Sequence, residues 1–131
     1  MILEKPETVT LVLPLPSGLL SPNYTVGSLG GRFAKSGATK KYRRAAKQAV
    51  HDEQIETMPW PKVTVKATFY FRQKRRRDPD NATGSLKAVY DGIVDAGLVS
   101  DDDYEHMTRL PPVFAIDREC PRVELLIERI E

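Results

Sequence analysis

The sequence Val-Thr-Val-Lys-Ala-Thr-Phe-Tyr-Phe occupies residues 63–71 and alternates apolar side chains with more polar ones. Side chains in a β-strand point to opposite faces in turn, so this period of two predicts a strand with one buried face. That face must be covered by a second layer of the fold. The residues on either side of the strand indicate that the covering layer is helical.

One helix is predicted before this strand and one after it. The first is capped by Ser36 or Thr39 and runs to about Ile55, with apolar residues at helical spacing and cations over most of the remaining surface. The second runs from about Thr83 to Ala96, and Gly97 is placed to end it as a C-terminal cap. Each helix can therefore bury one apolar stripe.

Three further strands complete the predicted sheet. Thr8–Leu13 is rich in β-branched residues, and Val113–Ile116 and Arg122–Ile130 follow the second helix. The stretch from Pro14 to about Ser36 contains Pro, Gly, Ser and Asn throughout, which predicts a long loop. The order β-α-β-α-β-β predicts an α+β fold: a single domain over residues 1–131, with two main helices on one face of a small mixed β-sheet.

The composition favours an ordinary globular protein of one domain. The chain has 131 residues, is 40% hydrophobic and contains a single cysteine, Cys120, which cannot form an intramolecular disulfide. Its start, Met1–Lys5, lacks the basic-then-apolar pattern of a signal peptide. No apolar run approaches the ~20 residues of a membrane span. We therefore expect a cytoplasmic protein with no membrane partner.

The charged residues are unevenly distributed, although the net charge is only +2. Lysines and arginines concentrate in residues 32–47 and 72–77, whereas acidic residues concentrate between 78 and 103. This asymmetry, rather than the net charge, points to the functional region.

The stretch Arg75–Asn81 places two carboxylates, Asp78 and Asp80, two residues apart. In an extended segment such side chains point the same way, so both could address one ion, and Mg²⁺ takes carboxylate oxygens together with water and phosphate. Asp101–Asp103 could supply a third carboxylate. From these residues alone, Asp101–Asp103 is more simply a solvated turn, and Asp78-Pro79-Asp80 is as consistent with a turn as with a metal site.

Lys87 and the two histidines are also open to alternative interpretations. Lys87 and Asp91 are one helical turn apart and could form a weakly stabilising ion pair, or Lys87 could neutralise a phosphate. His51 and His106 have no cysteine partners at the spacing of a zinc site, and the simpler interpretation of each is structural.

Taken together, these motifs resemble one family. Arg-Arg-Asp-Pro-Asp-Asn at residues 76–81, the stretch Leu86–Leu98 with its Lys-x-x-x-Asp-Gly, and the pair Asp101-Asp102 are similar to the RusA-type Holliday junction resolvases of phages and prophages. The opening strand, the segment ending in Ser21-Pro22-Asn23, the basic helix and the closing strands fit the same family. One departure is the spacing of Lys87, because residues 82–86 intervene where the founding member has a shorter segment.

The resemblance implies a metal-dependent endodeoxyribonuclease that cuts four-way or other branched DNA as a homodimer. Its setting would be DNA recombination, repair or phage DNA processing, in a bacterial or phage-infected host cell. It assigns the first two metal carboxylates to Asp78 and Asp80, the third to Asp102 with Asp101 beside it, and the essential lysine to Lys87. The implied cofactor is Mg²⁺, with Mn²⁺ as a substitute, and it would activate water and stabilise the developing charge.

Within this interpretation the cationic stretches bind backbone phosphates, which fix position without reading sequence. A four-way junction needs two cuts, and a C2 homodimer supplies two matching sites. The predicted DNA-binding residues are Lys40, Lys41, Arg43, Arg44, Lys47, Lys74, Arg75, Arg76, Arg77, Asn23 and Asn81.

Three rival interpretations remain at this point. A nuclease-inactive branched-DNA-binding protein would bind DNA equally in EDTA and Mg²⁺ without nicking it. A Mg²⁺-dependent nuclease acting on flaps or simple duplex would be separated by a panel of substrates. A purely structural interaction protein gives no reason for carboxylates to gather between cationic stretches.

Overall fold

Residues 63–71 form the central strand of the sheet, as their alternation predicts. In a computed structural model, which describes residues 7–24 and 27–131, the strands are β1 (Thr8–Leu13), β2 (Val63–Phe71), β3 (Met107–Arg109), β4 (Val113–Ile116) and β5 (Arg122–Arg129). The helices are α1 (Leu29–Asp52), α2 (Pro79–Gly84) and α3 (Lys87–Asp95). A short 3-10 helix, Gly18–Leu20, follows β1.

The sheet is mixed, which confirms the predicted fold class. β1 pairs antiparallel with β5, and β5 pairs antiparallel with β2. The opposite edge of β2 pairs in parallel with β3 over its first residues and with β4 over its last ones. β2 is therefore bonded along both edges, and its C-terminal end is the point at which the chain leaves the middle of the sheet.

One face of the sheet carries the core. Side chains that alternate along β1, β2 and β5 are buried together with those of the helices, in one cluster that includes Leu11, Phe69, Leu125, Ala46 and Ile93. The intervening residues of the same strands are partly or fully exposed, as in the burial pattern of β5. This alternation agrees with the expected arrangement of helices against a single face.

The first helix is longer than predicted. It begins at Leu29, where the Ser28 hydroxyl accepts a hydrogen bond from the Gly31 N–H at 3.0 Å, so the predicted caps at Ser36 and Thr39 and a loop reaching Ser36 are wrong. The serine cap outweighs the low helix propensity of the glycines that follow it. The predicted loop also includes residues 25–26, and the expectation about the start of the chain concerns Met1–Lys5. Residues 1–6 and 25–26 lie outside the described residues.

The second predicted helix is divided in two. α2 ends at Gly84, Ser85 and Leu86 interrupt the helix, and α3 begins at Lys87, so a continuous helix from Thr83 to Ala96 is wrong. Leu86 is fully buried, which fixes the interruption in the core. Gly97 adopts φ +88° and ends α3 as predicted, because glycine enters the left-handed region without steric cost. No helix in the described ranges is long and apolar enough to cross a membrane.

Candidate active site

Asp78 lies where the chain passes from the segment after β2 into α2. Its side chain caps the helix, since Oδ1 accepts hydrogen bonds from the N–H groups of Asp80 at 2.9 Å and Asn81 at 3.4 Å. Pro79 follows as the first helical residue, a position that suits its fixed φ and missing N–H. Asp78 and Asp80 are therefore a cap and a first-turn residue rather than two side chains of one extended segment, and the extended geometry expected for them is wrong.

Lys87 and Asp102 are brought into contact across 15 residues of sequence. Lys87 is the first residue of α3, and its Nζ lies 2.6 Å from Asp102 Oδ2 and 3.1 Å from Asp91 Oδ1. The hydrogen bond to Asp102 raises the pKa of Lys87, and the same bond holds the pKa of Asp102 below its ordinary value. A cation at the positive end of a helix is unfavourable alone, so these carboxylates offset that cost.

Arg109 completes this cluster and is the functional candidate that the sequence interpretation missed. From the end of β3 its Nη2 donates to the Asp102 carbonyl oxygen at 3.0 Å and to Asp102 Oδ2 at 3.3 Å. Its guanidinium lies 4.3 Å from the centroid of the buried Tyr90 ring. Asp102 is thus held from two sides by Lys87 and Arg109, with only 17% of its side chain exposed.

The neighbours of Asp102 have separate roles. Asp101 Oδ1 accepts the Asp102 N–H at 2.7 Å, which shapes the turn. Asp103 Oδ1 lies 2.6 Å from His106 Nδ1, and this contact raises the pKa of His106. His106 therefore forms a local pair within the turn, and His51 lies exposed in the last turn of α1. Of the three consecutive aspartates, Asp102 is the one that reaches Lys87.

The donor chemistry of these residues suits Mg²⁺, but their arrangement does not form a metal site by itself. Across residues 7–24 and 27–131, no group of three or more His, Cys, Asp or Glu side chains is placed to hold one ion. Asp78 Oδ1 accepts a backbone N–H of α2, and Asp102 Oδ2 is shared by Lys87 and Arg109. The described residues therefore do not form a three-carboxylate group in advance, and the assignment of Asp78, Asp80 and Asp102 as metal ligands stays a prediction.

The cationic segment between β2 and α2 borders a cavity. Lys74, Arg75 and Arg76 are exposed, whereas Arg77 is half-buried with its guanidinium 3.7 Å from the Phe71 ring centroid. The cavity has a volume of about 610 Å³ and lies between this segment, α2 and residues 15–21. Asp78 lines the same cavity as Arg75, Arg76 and Arg77, so one candidate catalytic carboxylate lies beside the predicted phosphate-binding arginines.

The Ser21-Pro22-Asn23 motif packs against α2. The Ser21 hydroxyl donates to Asn81 Oδ1 at 2.7 Å. A Cβ added at Gly84 would lie 2.4 Å from Pro22 Cγ, so glycine is required for this close approach. The Asn23 N–H donates to Ser21 Oγ at 3.2 Å, and Asn23 itself is exposed beside the site. Asn81 therefore holds the segment after β1 in place.

The predicted cations of α1 divide into two groups. Arg43 donates through Nε and Nη2 to both carboxylate oxygens of Asp95, so it joins α1 to α3. Lys40, Lys41, Arg44 and Lys47 are exposed and remain available to phosphates. Arg32 and Lys35, which were expected in the loop, belong to α1 and line a shallow groove of about 440 Å³ together with Lys40.

An arginine-lined cavity that includes Asp78, together with a helix that carries exposed lysines and arginines, suits a protein that binds a phosphate backbone. The sequence matches the family model described as endodeoxyribonuclease RusA over residues 16–128. The chain therefore belongs to the RusA family of Holliday junction-resolving endodeoxyribonucleases, which confirms the resemblance. No curated protein is similar enough to the chain to count as a match.

Proposed function

We propose that this protein is a Mg²⁺-dependent endonuclease that resolves Holliday junctions and other branched DNA as a homodimer. The observation that carries the proposal is the 2.6 Å contact between Lys87 Nζ and Asp102 Oδ2. It joins the two residues, distant in sequence, to which the family resemblance assigns the lysine and the third carboxylate. Such an enzyme would work on DNA in recombination, repair or phage DNA processing, in the cytoplasm of a bacterial or phage-infected host cell.

The proposed metal ligands are Asp78, Asp80 and Asp102, with Asp101 beside them. Mg²⁺ commonly takes one or two protein carboxylates and completes its shell with water and substrate phosphate, so a preformed group of three is not a requirement. Asp78, Asp80 and Asp101 are exposed, whereas Asp102 is partly buried. When bound, the ion supplies positive charge at the scissile phosphate, and Mn²⁺ is expected to substitute.

Lys87 is proposed as the catalytic cation. Its side chain is 64% exposed although it contacts two carboxylates, so its ammonium can also reach a phosphate at the surface. Asp102 and Asp91 keep it positively charged and hold it at the start of α3. A fixed cation there would stabilise negative charge as the phosphodiester bond breaks.

The exposed cations on two elements are proposed to hold the DNA. Arg75 and Arg76 project beside the cavity, and Lys40, Lys41, Arg44 and Lys47 extend along α1. Arginine binds phosphate through two parallel N–H groups, whereas lysine acts as a point charge. A second protomer would present the same surfaces to the opposite strand of a four-way junction.

A labelled four-way junction tests the proposal when incubated with Mg²⁺, Mn²⁺ or EDTA beside matched duplex and flap substrates. We expect paired nicks in the junction with either ion and none in EDTA. Asp80→Asn should abolish cleavage and leave junction binding intact or stronger, because it removes a metal-binding charge and also repulsion from DNA. Parallel loss of binding and cleavage would contradict the metal-ligand role of Asp80. Preferential cleavage of flap or duplex DNA would identify that DNA, rather than the four-way junction, as the substrate.

A nuclease-inactive branched-DNA-binding protein is the second candidate. The observation that favours it is the missing three-carboxylate group in the part of the chain that the structure describes. This candidate predicts equal junction affinity in EDTA and Mg²⁺, with no nicking by wild-type protein in either. The same junction assay therefore separates the two functions.

A further inference from the structure

The outward side of α1 carries two large apolar side chains that the core does not use. Leu29 and Phe33 lie one turn apart in the first part of the helix and are 67% and 70% exposed. The buried residues of α1, namely Tyr42, Ala46 and Val50, all lie further along it. Because 3.6 residues complete a turn, Phe33 is on the opposite side of the helix from Tyr42. Phe33 therefore presents a free aromatic ring to solvent.

The same outward stripe is cationic. Lys40, Arg44 and Lys47 follow Phe33 at helical spacing, and all three are exposed. Residues 8–51 contain no aspartate or glutamate, so α1 has no negatively charged residue before Asp52. Such a stripe attracts a polyanion, whereas the same stripe of a second copy would repel it. The charge around Phe33 therefore favours nucleic acid as the partner of this surface.

Phosphates alone would leave Phe33 without a partner, because phosphates are bound by cations and polar groups. Apolar side chains such as Phe and Leu can instead insert between bases, and aromatic rings stack on bases that have left the helical stack. Bases at a branch point are unpaired or weakly stacked, so they cost least to displace. An exposed aromatic ring in a row of cations thus suits the branch point of a DNA junction.

We propose that Phe33 is a wedge that stacks on one base at the branch point of the bound DNA, while Lys40, Arg44 and Lys47 bind the adjoining phosphates. The inference rests on the proposed function and adds to it a contact that distinguishes branched DNA from uniform duplex. Leu29, one turn earlier, extends the apolar surface beside the base. Phe33 is outside the residues assigned to the chemistry, so its removal should weaken binding and leave single-turnover cleavage at saturating enzyme unchanged.

Equilibrium affinities in EDTA for a four-way junction, a matched duplex and a single strand test this inference. Phe33→Ala should weaken binding of the junction and the single strand about tenfold, the scale of one stacked base, and leave duplex affinity unchanged. Val12→Ala is the control for loss of an exposed apolar side chain, because Val12 is 58% exposed in β1, and it should change none of the affinities.

The salt dependence separates stacking from charge. Phe33→Ala should keep the wild-type slope of log affinity against log salt, because no phosphate contact is lost. Lys40→Ala, on the same stripe, should flatten that slope by about one unit.

Phe33→Trp gives a direct measurement of stacking. The single natural tryptophan, Trp60, is only 2% exposed, so DNA-dependent emission of this variant would come from position 33. We expect Phe33→Trp to retain the preference for the junction over duplex. Its emission should be quenched by the junction and by the single strand, and not by duplex.

The inference is overturned if Phe33→Ala binds the junction as tightly as wild type, if it weakens duplex binding equally, or if neither junction nor single strand quenches Phe33→Trp. It is also overturned if light scattering shows a wild-type dimer and a Phe33→Ala monomer, since a second copy would then cover the ring. The proposed function fails differently, namely if wild type neither prefers the junction over duplex nor cuts it in Mg²⁺. In that case the emission of Phe33→Trp with single strand still shows whether position 33 stacks on a base.

Discussion

Gly92 lies at the closest approach of α1 and α3, and replacing it with alanine tests the packing that positions Lys87. A Cβ at this position would lie 2.3 Å from the Arg43 carbonyl oxygen and 2.8 Å from Ala46 Cβ. Ordinary contacts begin at 3.4 Å, so the helices would have to separate by about 1 Å. The obstacle is helix backbone, which cannot turn aside as a flexible side chain can.

The expected cost is the balance of two effects. Overpacking a core costs ~1–3 kcal/mol, whereas exchanging glycine for alanine within a helix returns up to ~1 kcal/mol. We therefore expect Gly92→Ala to lower the free energy of unfolding by about 1–2 kcal/mol. For a chain of this length that corresponds to a fall in Tm of roughly 4–8 °C.

Urea unfolding followed by circular dichroism would measure the change, with Gly37→Ala as the control. Gly37 is also helical, in α1, but its Cβ would meet open space, so alanine there should stabilise the protein by ~0.5–1 kcal/mol. Opposite signs for the two variants are the expected result. If Gly92→Ala were as stable as wild type while Gly37→Ala behaved as expected, the helices could not approach as closely as described.

Three further predictions concern the proposed reaction. Lys87→Ala should lower the single-turnover cleavage rate at least about a hundredfold, or about 2.7 kcal/mol, and should change the urea midpoint little because the side chain is 64% exposed. A cleavage rate within a few-fold of wild type would mean that another cation has the catalytic role. Arg109→Gln should slow cleavage about tenfold at unchanged junction affinity, because Asp102 then contacts only one of its two cations, and Arg109→Lys should recover part of the rate. A wild-type cleavage rate in Arg109→Gln would show that Arg109 does not position Asp102 for the reaction. Arg76→Ala should flatten the log–log dependence of affinity on salt by about one unit, whereas the exposed Arg118→Ala should not, and equal slopes would leave Arg76 as ordinary surface.

Local pattern was sufficient for most of the strands. β1, β2 and β4 have the predicted bounds, because strand alternation is visible within a few residues. β3 was missed, since three residues carry no measurable period and are held by pairing with Val63–Val65. The early start of α1 depended on one serine cap ahead of a glycine-rich turn, which composition alone assigned to a loop.

The candidate site was predictable only where a motif identified it. Lys87 and Asp102 were named from the family resemblance, and the structure brings them into contact. Arg109 could not be found in this way, because its link to Asp102 depends on the parallel pairing of β3 with β2. The relation of Asp78 to Asp80 was misjudged, because the prediction assumed one extended segment. Asp78 instead caps α2, and Asp80 already lies in the first turn of that helix.

The capping contact of Asp78 affects how its proposed role as a metal ligand should be tested. Alanine at this position would remove a negative charge and also fray α2, at a cost of about 1 kcal/mol. Fraying would release Asn81 and with it the hydrogen bond to Ser21. Loss of cleavage in Asp78→Ala would therefore not distinguish the loss of local structure from the loss of the carboxylate. Asparagine caps a helix about as well as aspartate, and Asp78→Asn therefore changes the charge while the scaffold stays assembled.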